Sequence, residues 1–474
     1  MKISSILIAP IALAFLAAGC AVGPNYQPPK ASAPADFTGG AQTDFTTNQP
    51  VTNWWRGFGD AELVQLVDRS VASNLDLRIA TANLLQARAL RMGAKADFLP
   101  TVDGAAGYSN NVYSEASLFN FSGAPRRQQL YDVGFDATWE LDIFGRVRRA
   151  YQSSTASMEA AAATRRDVQV SLVSEVARNY FELRGTQNEL SVLRGNADNQ
   201  RETLKITLAR LDAGRGTELD VARARAQLNN TMAEIPPMEA TVAHATHRLG
   251  VLTGQEPEAL VNELRTPQPM PALPSLVAIG NPAQLLRRRP DIRAAERNLA
   301  AATAGIGVAV ADLFPRVTFN GAIGLESETF SGLGKQGSDA RSFGPAITWA
   351  ALDYGHVRAR IKAAGAVADA QMAQYQQTVL TSLEETENAL VDFGRARARR
   401  EFLAESVKAS QAAADLAHTQ FDNGAADFLT VLDAERVLLE SQNQLAQIET
   451  QTAIALVAVY KSLAGGWEQP SADR

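Results

Sequence analysis

Two stretches of the chain alternate apolar and polar residues with a period of two. In QLYDVGFDATWELD (129–142), Tyr131, Val133, Phe135, Ala137, Trp139 and Leu141 share one side. Asp132, Gly134, Asp136, Thr138, Glu140 and Asp142 share the other. Later, Val317, Phe319, Ile323 and Leu325 alternate with Arg316, Thr318, Asn320 and Glu326. Alternation of this kind predicts strands with one apolar and one polar face. Each stretch flanks a loop rich in Gly, Ser and Asn, SLFNFSGAPRR (117–127) and FSGLGKQGSD (330–339), so two hairpins are expected, about 101–141 and about 316–352.

The remaining pattern is helical. No proline lies between Pro125 and Pro236 or between Pro345 and Pro470, and alanine-rich runs such as EAAAATRR (159–166) and ASQAAADLAH (409–418) favour helix. Long helices are expected at about 145–212 and about 355–422, with return helices at about 216–253 and about 427–463. Leu190, Leu193, Ala197, Leu204, Leu208 and Leu211 keep a heptad-like spacing, as do Leu429, Leu432, Leu439 and Ala446, which points to coiled-coil packing. Gly214 and Gly424 stand where the helices must reverse. Thr217 is placed to cap the first return helix, with Asp220 completing a capping box.

The two halves repeat. WELDIFGRVR (139–148) returns as WAALDYGHVR (349–358), and NLDLRIATANLLQARALRMGAKADFLPTV (74–102) as RPDIRAAERNLAAATAGIGVAVADLFPRV (289–317). LDAGRGTELDV (211–221) matches FDNGAADFLTV (421–431). The organisation expected is repeat 1 at 54–265, a Pro-rich linker TPQPMPALP at 266–274, repeat 2 at 275–465 and a tail at 466–474.

Ahead of the repeats, Lys2 and the apolar run 3–18 form a signal peptide, 1–19, that ends at Ala17-Ala18-Gly19-Cys20. The site resembles a bacterial lipobox, although Ala17 replaces the usual Leu. Cys20, the one cysteine in the chain, is the expected lipidation site, with diacylglyceryl and N-acyl groups as its covalent lipid. An ordinary signal peptide with an incidental cysteine is the alternative. Ala21 after the cysteine fits outer-membrane sorting. Residues 20–53 read as a lipidated strap rich in Pro and small residues.

Composition narrows the function. A net charge of −6 argues against a general nucleic-acid binder. No phosphate loop, Gly-x-Ser-x-Gly or full Gly-x-Gly-x-x-Gly is present, and His244 and His247 share a helical face with no clear third ligand nearby. No enzyme, cofactor or metal site is expected. Four alternating strands cannot cross lipid as an open sheet, since their edges leave backbone groups unpaired. Either several chains pool their strands, three giving twelve, or the hairpins lie on the protein's own helices in a soluble α/β fold.

GPNYQPP (23–29), WWRGFGDAELVQLV (54–67), the 287–317 segment, GPAITWAALDYGHVRARI (344–361) and YKSLAGGW (460–467) resemble outer-membrane factors of tripartite efflux pumps, in the NodT-like lipoprotein branch of the TolC-like family. The resemblance implies an α+β membrane protein. Its fold would be a homotrimer whose twelve-stranded β-barrel, four strands per protomer, continues into an α-helical coiled-coil tunnel across the periplasm. It implies a periplasmic adaptor, an inner-membrane pump of the resistance-nodulation-division type, and residence in the outer membrane of a Gram-negative bacterium. On the family pattern, Leu429 and Asp433 fall at the periplasmic gate, and Gly214, Thr217, Gly424 and Asp427 at the adaptor-facing tips. Helical spacing adds Arg436, at i+3, as a gate candidate that would pair with Asp433, an ordinary surface Asp–Arg pair being the alternative. Phe421 and Ala426 depart from the family's latch residues, so no latch is assigned.

Asp103, Asp132, Asp136 and Glu140 are the candidate lumen-facing acids of the polar strand face. Arg146, Arg148, Arg149, Arg358 and Arg360 either snorkel at the membrane edge or are solvated at helix starts. A type I protein-secretion duct and a non-conducting periplasmic scaffold are the rival functions. The exported compounds and the cognate pump are not legible.

Overall fold

The computed structural model describes residues 21–30, 33–39, 45–48, 50–114, 126–274 and 276–467. The signal peptide, Cys20 and the end of the tail lie outside the described residues. The main helices are α1 (Ala61–Ser73), α2 (Leu75–Ala96), α3 (Arg146–Asp212), α4 (Glu218–Leu252), α5 (Pro282–Arg288), α6 (Pro290–Ala311), α7 (Tyr354–Asp422) and α8 (Phe428–Ser462). The long strands are β1 (Thr101–Val112), β2 (Arg127–Leu141), β3 (Arg316–Ser327) and β4 (Asp339–Thr348). No described helix is long and apolar enough to cross a membrane. The described residues divide into two compact units, one drawn from 21–29, 83–161 and 294–376, the other from 30–82, 162–293 and 377–467.

The first unit holds the sheet. All neighbours are antiparallel, in the order β1-β2-β3-β4. Register carries the sequence alternation across all four strands. Val102, Ala137, Gly321 and Phe343 lie in one row, Gly104, Phe135, Ile323 and Arg341 in the next on the same face, and Trp139, Phe319 and Pro345 in another. Phe343 on this face is 80% exposed, and Val102, Phe135, Ile323 and Ile347 are also exposed. The opposite face carries mainly Asp, Glu, Asn, Gln, Ser, Thr, Gly and Ala, with Leu130 and, at the start of β3, Arg316, which pairs with Asp312. Apolar side chains so open to solvent are unusual for a folded sheet and mark a face that needs a partner medium.

Two tryptophans tie the strand ends to the preceding helices. Trp139 Nε1 donates to the Phe98 carbonyl at 3.0 Å, and Trp349 Nε1 to the Leu313 carbonyl at 3.1 Å. Phe98 and Leu313 each stand two residues before a proline, Pro100 or Pro315. Phe144 stacks on Phe314 with ring centroids 4.7 Å apart. The segment from Val22 to Asn25 is pinned here as well. Arg149 donates to the carbonyls of Val22 (3.0 Å) and Gly23 (3.1 Å) and to Asn25 Oδ1 (2.8 Å), while Val22 N donates to the Phe144 carbonyl. Gly23 and Gly307 touch so closely that a Cβ on Gly23 would lie 2.5 Å from Gly307 Cα.

The second unit is an apolar core closed by aromatics. Trp54 is 2% exposed and stacks on Tyr460 at 4.9 Å, and Phe58 meets Phe181 edge-on at 4.9 Å. Gly465 makes the stacking possible, since a Cβ there would approach Trp54 Cδ1 to 2.5 Å. Arg184, 1% exposed, pairs with Glu62 and donates to Gln187 Oε1 and the Thr266 carbonyl. Asp60 caps α1 through the Glu62 and Leu63 amides and accepts from the Tyr180 hydroxyl at 2.6 Å.

At 1.5 Å per residue, α3 is ~100 Å long. Its buried stripe departs from the expected leucine seam. Leu190, Leu193 and Ala197 are buried, but Gln200, Thr203 and Thr207 follow, and Leu208 is 37% exposed. A helix of 3.6 residues per turn drifts off a strict heptad, so the seam slips from Leu208 to Thr207. The α4 helix continues through Pro236 and Pro237, both at exposed positions, where water can satisfy the two carbonyls that lose amide partners.

Candidate functional site

The polar sheet face is acidic. Asp103 faces Asp136 across β1 and β2, and Asp132 faces Glu326 across β2 and β3. Side chains so paired stand about 5 Å apart, where like charges repel. Such an arrangement suits a face bathed in water and cations. Asp132 also covers Gly107, where a Cβ would lie 2.6 Å from its Oδ1. Glu140 differs from the other three acids, because it holds Arg146 (Nε to Oε1, 2.8 Å). Glu326, from the second hairpin, joins the set that the sequence drew from the first.

The arginines after the strands have partners within the chain. Arg146 pairs with Glu140, Arg148 with Asp142 at 3.0 Å, and Arg360 with Asp312 at 3.4 Å. Arg149 is buried on the strap, and Arg358 lies over the Tyr354 ring. Cations at a helix N-terminus oppose its dipole, and nearby carboxylates compensate them. Asp142 does so doubly, since it also accepts from the Val147 and Arg148 amides at 2.9 Å.

The helix reversals are near copies. Gly214 (φ 72°) and Gly424 (φ 71°) adopt the left-handed conformation that favours glycine. Arg215 N returns to the Arg210 carbonyl and Ala425 N to the Gln420 carbonyl, both at 2.8 Å. Thr217 and Asp220 form the capping box on α4. Asp427 caps α8, accepting from Thr430 N at 3.0 Å and Thr430 Oγ1 at 2.9 Å. Those bonds, the backbone one first, hold its carboxyl below the usual range.

Beyond the second tip, α8 divides cleanly. Phe428, Val431 and Leu432 form a small core with Ala224 and Ala417. Leu429 (49% exposed), Asp433 and Arg436 face outward. Arg436 donates to Asp433 at 2.9 Å and reaches Glu440 at 3.9 Å. The three gate candidates therefore share one exposed face of one helix. Phe421, at the latch position, is held by Arg210, whose guanidinium lies 3.8 Å from its ring centroid, and it also packs on Phe428.

A family model described as "Outer membrane efflux protein" matches residues 66–255 and 281–465. The chain belongs to this family of outer-membrane efflux proteins. It is 34% identical over 475 residues to the toluene efflux pump outer membrane protein TtgI of Pseudomonas putida, covering 98% of this chain and 99% of that protein. It is 32% identical over 468 residues to nodulation protein T of Rhizobium leguminosarum bv. trifolii, covering 96% of each. Among solved structures, the outer-membrane channel OprN superposes with a TM-score of 0.89 at 43% identity, over 94% of this chain and 100% of that one. The open state of the Neisseria gonorrhoeae MtrE channel matches at 0.81 and 27%, over 94% and 98%. The fold is therefore that of the TolC-like outer-membrane channels, and the relatives are channel and efflux proteins.

The family match encloses both hairpins and both tips. Three groups escaped the sequence: Glu326 on the acidic face, Arg210 against Phe421, and Glu435 between Asp433 and Arg436. Only Glu326 had a local signal, its place in the period-two pattern.

Proposed function

We propose that this protein is the outer-membrane channel of a tripartite efflux system in a Gram-negative bacterium. It would conduct small toxic compounds or drugs delivered by an inner-membrane pump of the resistance-nodulation-division type through a periplasmic adaptor. The observation that carries the proposal is the sheet, with one apolar exposed face, one acidic face, and β1 and β4 as edges. Such edges are intolerable in lipid unless another chain pairs with them. Three copies closing edge to edge make a twelve-stranded barrel, with the apolar face toward lipid and Asp103, Asp132, Asp136 and Glu326 toward water. Two structurally similar repeats per protomer then give quasi-sixfold regularity to a threefold ring, which continues as the helical tunnel. Lipid on Cys20 would anchor the strap that Arg149 holds.

Leu429, Asp433 and Arg436 form the mouth in this reading, and the Gly214–Thr217 and Gly424–Asp427 turns meet the adaptor. The functions that the relatives' names carry, toluene efflux among them, favour small-molecule efflux over type I protein secretion. The amphipathic sheet weighs against a non-conducting scaffold, which has no use for it. Single-channel recording of the purified protein in planar bilayers, beside Asp433→Ala, tests the proposal. Small cation-selective events that grow in the variant are expected. Silence from both, with trimers established by mass, would refute the channel.

A further inference from the structure

Charge divides by sign across the sheet. The polar face is acidic, whereas the apolar face carries two cations, Arg127 on β2 and Arg341 on β4. Both are exposed, and neither has a hydrogen bond or ion pair among the described residues. Asp339, one position nearer the loop on the same face, forms no ion pair with Arg341. Both arginines stand toward the hairpin loops and away from Trp139 and Trp349. Arg341 is eight residues from Trp349, ~26 Å along the strand. At this end the face is aromatic: Tyr108 packs on Tyr131 with centroids 4.6 Å apart, and Tyr131 meets Phe330 at 5.9 Å. Aromatic side chains gather where a membrane meets water. An arginine is tolerated at that level but is costly at the bilayer centre.

The two hairpins share one register. Thr101 pairs with Thr138, and their counterparts in the second repeat, Arg316 and Thr348, pair in the same way. β1 therefore corresponds to β3 and β2 to β4, residue for residue. The edge strand β4 can then meet β1 of the next copy as β2 meets β3. Tyr131 faces Ser327 in that pairing, and Val133 faces Leu325. Carried over, Arg341 faces Val112 of the next copy, Phe343 faces its Asn110 and Pro345 its Tyr108. This register keeps the apolar residues of both strands on one side, which a one-residue slip would not. Within a copy, Val112 pairs with Arg127, Asn110 with Gln129 and Tyr108 with Tyr131. Arg341 and the next copy's Arg127 thus fall in one row, two strands and ~10 Å apart. Side chains of that length converge on a single anion, and the guanidinium fork suits phosphate. The row below holds Phe343, Asn110 and Gln129, and the one after it Pro345, Tyr108 and Tyr131.

We propose that each junction between copies binds a phosphorylated glycolipid of the outer leaflet. Its phosphate lies between Arg341 of one copy and Arg127 of the next. Its sugar hydroxyls meet the carboxamides of Asn110 and Gln129, and its acyl chains lie along Phe343, Pro345 and Tyr108. This rests on the three-copy barrel, since one copy supplies only half of the site. Cationic positions beside an apolar surface are the pattern that anionic lipid headgroups select. The carboxamides between the arginines and the aromatic row favour a sugar headgroup over a simple phospholipid.

The test uses the purified, delipidated trimer in detergent, wild type beside Arg127→Gln and Arg341→Gln, read by native mass spectrometry. The probes are diphosphorylated lipid A, its dephosphorylated form, phosphatidylglycerol and inorganic phosphate. Wild type should retain one lipid A per junction, and either substitution should weaken binding by roughly tenfold, as loss of one charge-assisted hydrogen bond does. Dephosphorylated lipid A should bind at least as weakly. Lipid A binding that ignores both substitutions, or sites filled equally well by inorganic phosphate, overturns the proposal. Phosphatidylglycerol held as tightly as lipid A overturns the glycolipid assignment. The register is read separately, by oxidising the double variant Asn110→Cys, Phe343→Cys, which should link copies into covalent trimers. Linked trimers with arginine-independent binding leave the barrel standing and remove the lipid site. Trimers that do not link overturn the register and the site with it. A chain that is monomeric by mass and does not link removes the barrel reading as well.

Discussion

Asp167 offers a pH-dependent stability that can be worked out from its surroundings. It lies half-buried on α3, in the second unit, near Asp291, Arg289, Lys461 and Glu385. Arg289 is the natural partner, but it is held by Asp291 at 2.7 Å, Glu385 at 2.8 Å and the Ser462 carbonyl at 3.1 Å. Burial first, and the Asp291 charge second, push the Asp167 carboxyl from 3.8 up to about 6. Because its folded value is the higher one, the native state keeps a proton that the unfolded chain gives up. Stability is therefore greatest at low pH on this account and falls as pH rises from about 4 to about 6. A shift of about two units at 1.36 kcal/mol each makes the loss on the order of 3 kcal/mol per protomer above that window.

Asp167→Asn keeps the volume and removes the titration. The variant should match wild type near pH 3.5 and exceed it by up to ~3 kcal/mol at pH 7.5. Denaturant midpoints followed by far-ultraviolet circular dichroism at pH 4, 5, 6 and 7.5 measure this. The difference between the two proteins isolates Asp167 from Glu189, which burial pushes up to about 7. Equal pH slopes in the two proteins would refute the assignment.

Three further outcomes are expected. Trp54→Ala should cost about 3–5 kcal/mol, and Trp54→Phe much less, because the ring stacked on Tyr460 is what fills the site; thermal unfolding of the two variants checks it. Gly214→Val and Gly424→Val meet open space, so each costs only left-handed strain, about 1–2 kcal/mol. Those variants should lose adaptor binding in pull-downs while still forming trimers, and normal binding would count against the tip assignment. Replacing Asp103, Asp132 and Asp136 by Asn should move the reversal potential toward zero cation preference, whereas an unchanged potential would take the lumen away from that face.

Much of this protein was written locally. The alternation in 129–142 foretold which residues of β2 share a face, because successive side chains of a strand point to opposite sides whatever it pairs with. Gly214, Thr217 and Asp220 could be read as turn and cap, because their bonds close within one helical turn. The shared face of the three gate candidates was legible for the same reason: Leu429, Asp433 and Arg436 are spaced by three and four, and helical geometry alone groups them.

Tertiary structure decided where partners come from far along the chain. Nothing in the period of β2 says that its second neighbour is β3, which sets Glu326 against Asp132. Arginines grouped at a helix start look alike in sequence, yet Arg146 and Arg148 pair with nearby carboxylates while Arg149 is buried on the strap. Glu435 has an unremarkable place in its helix, and only the packing of α3 and α7 against α8 brings it Thr203 and His418. Backbone geometry repeats every few residues and is carried by the sequence nearby. The partner of a buried charge depends on which surfaces meet, and that is settled only when the whole chain has folded.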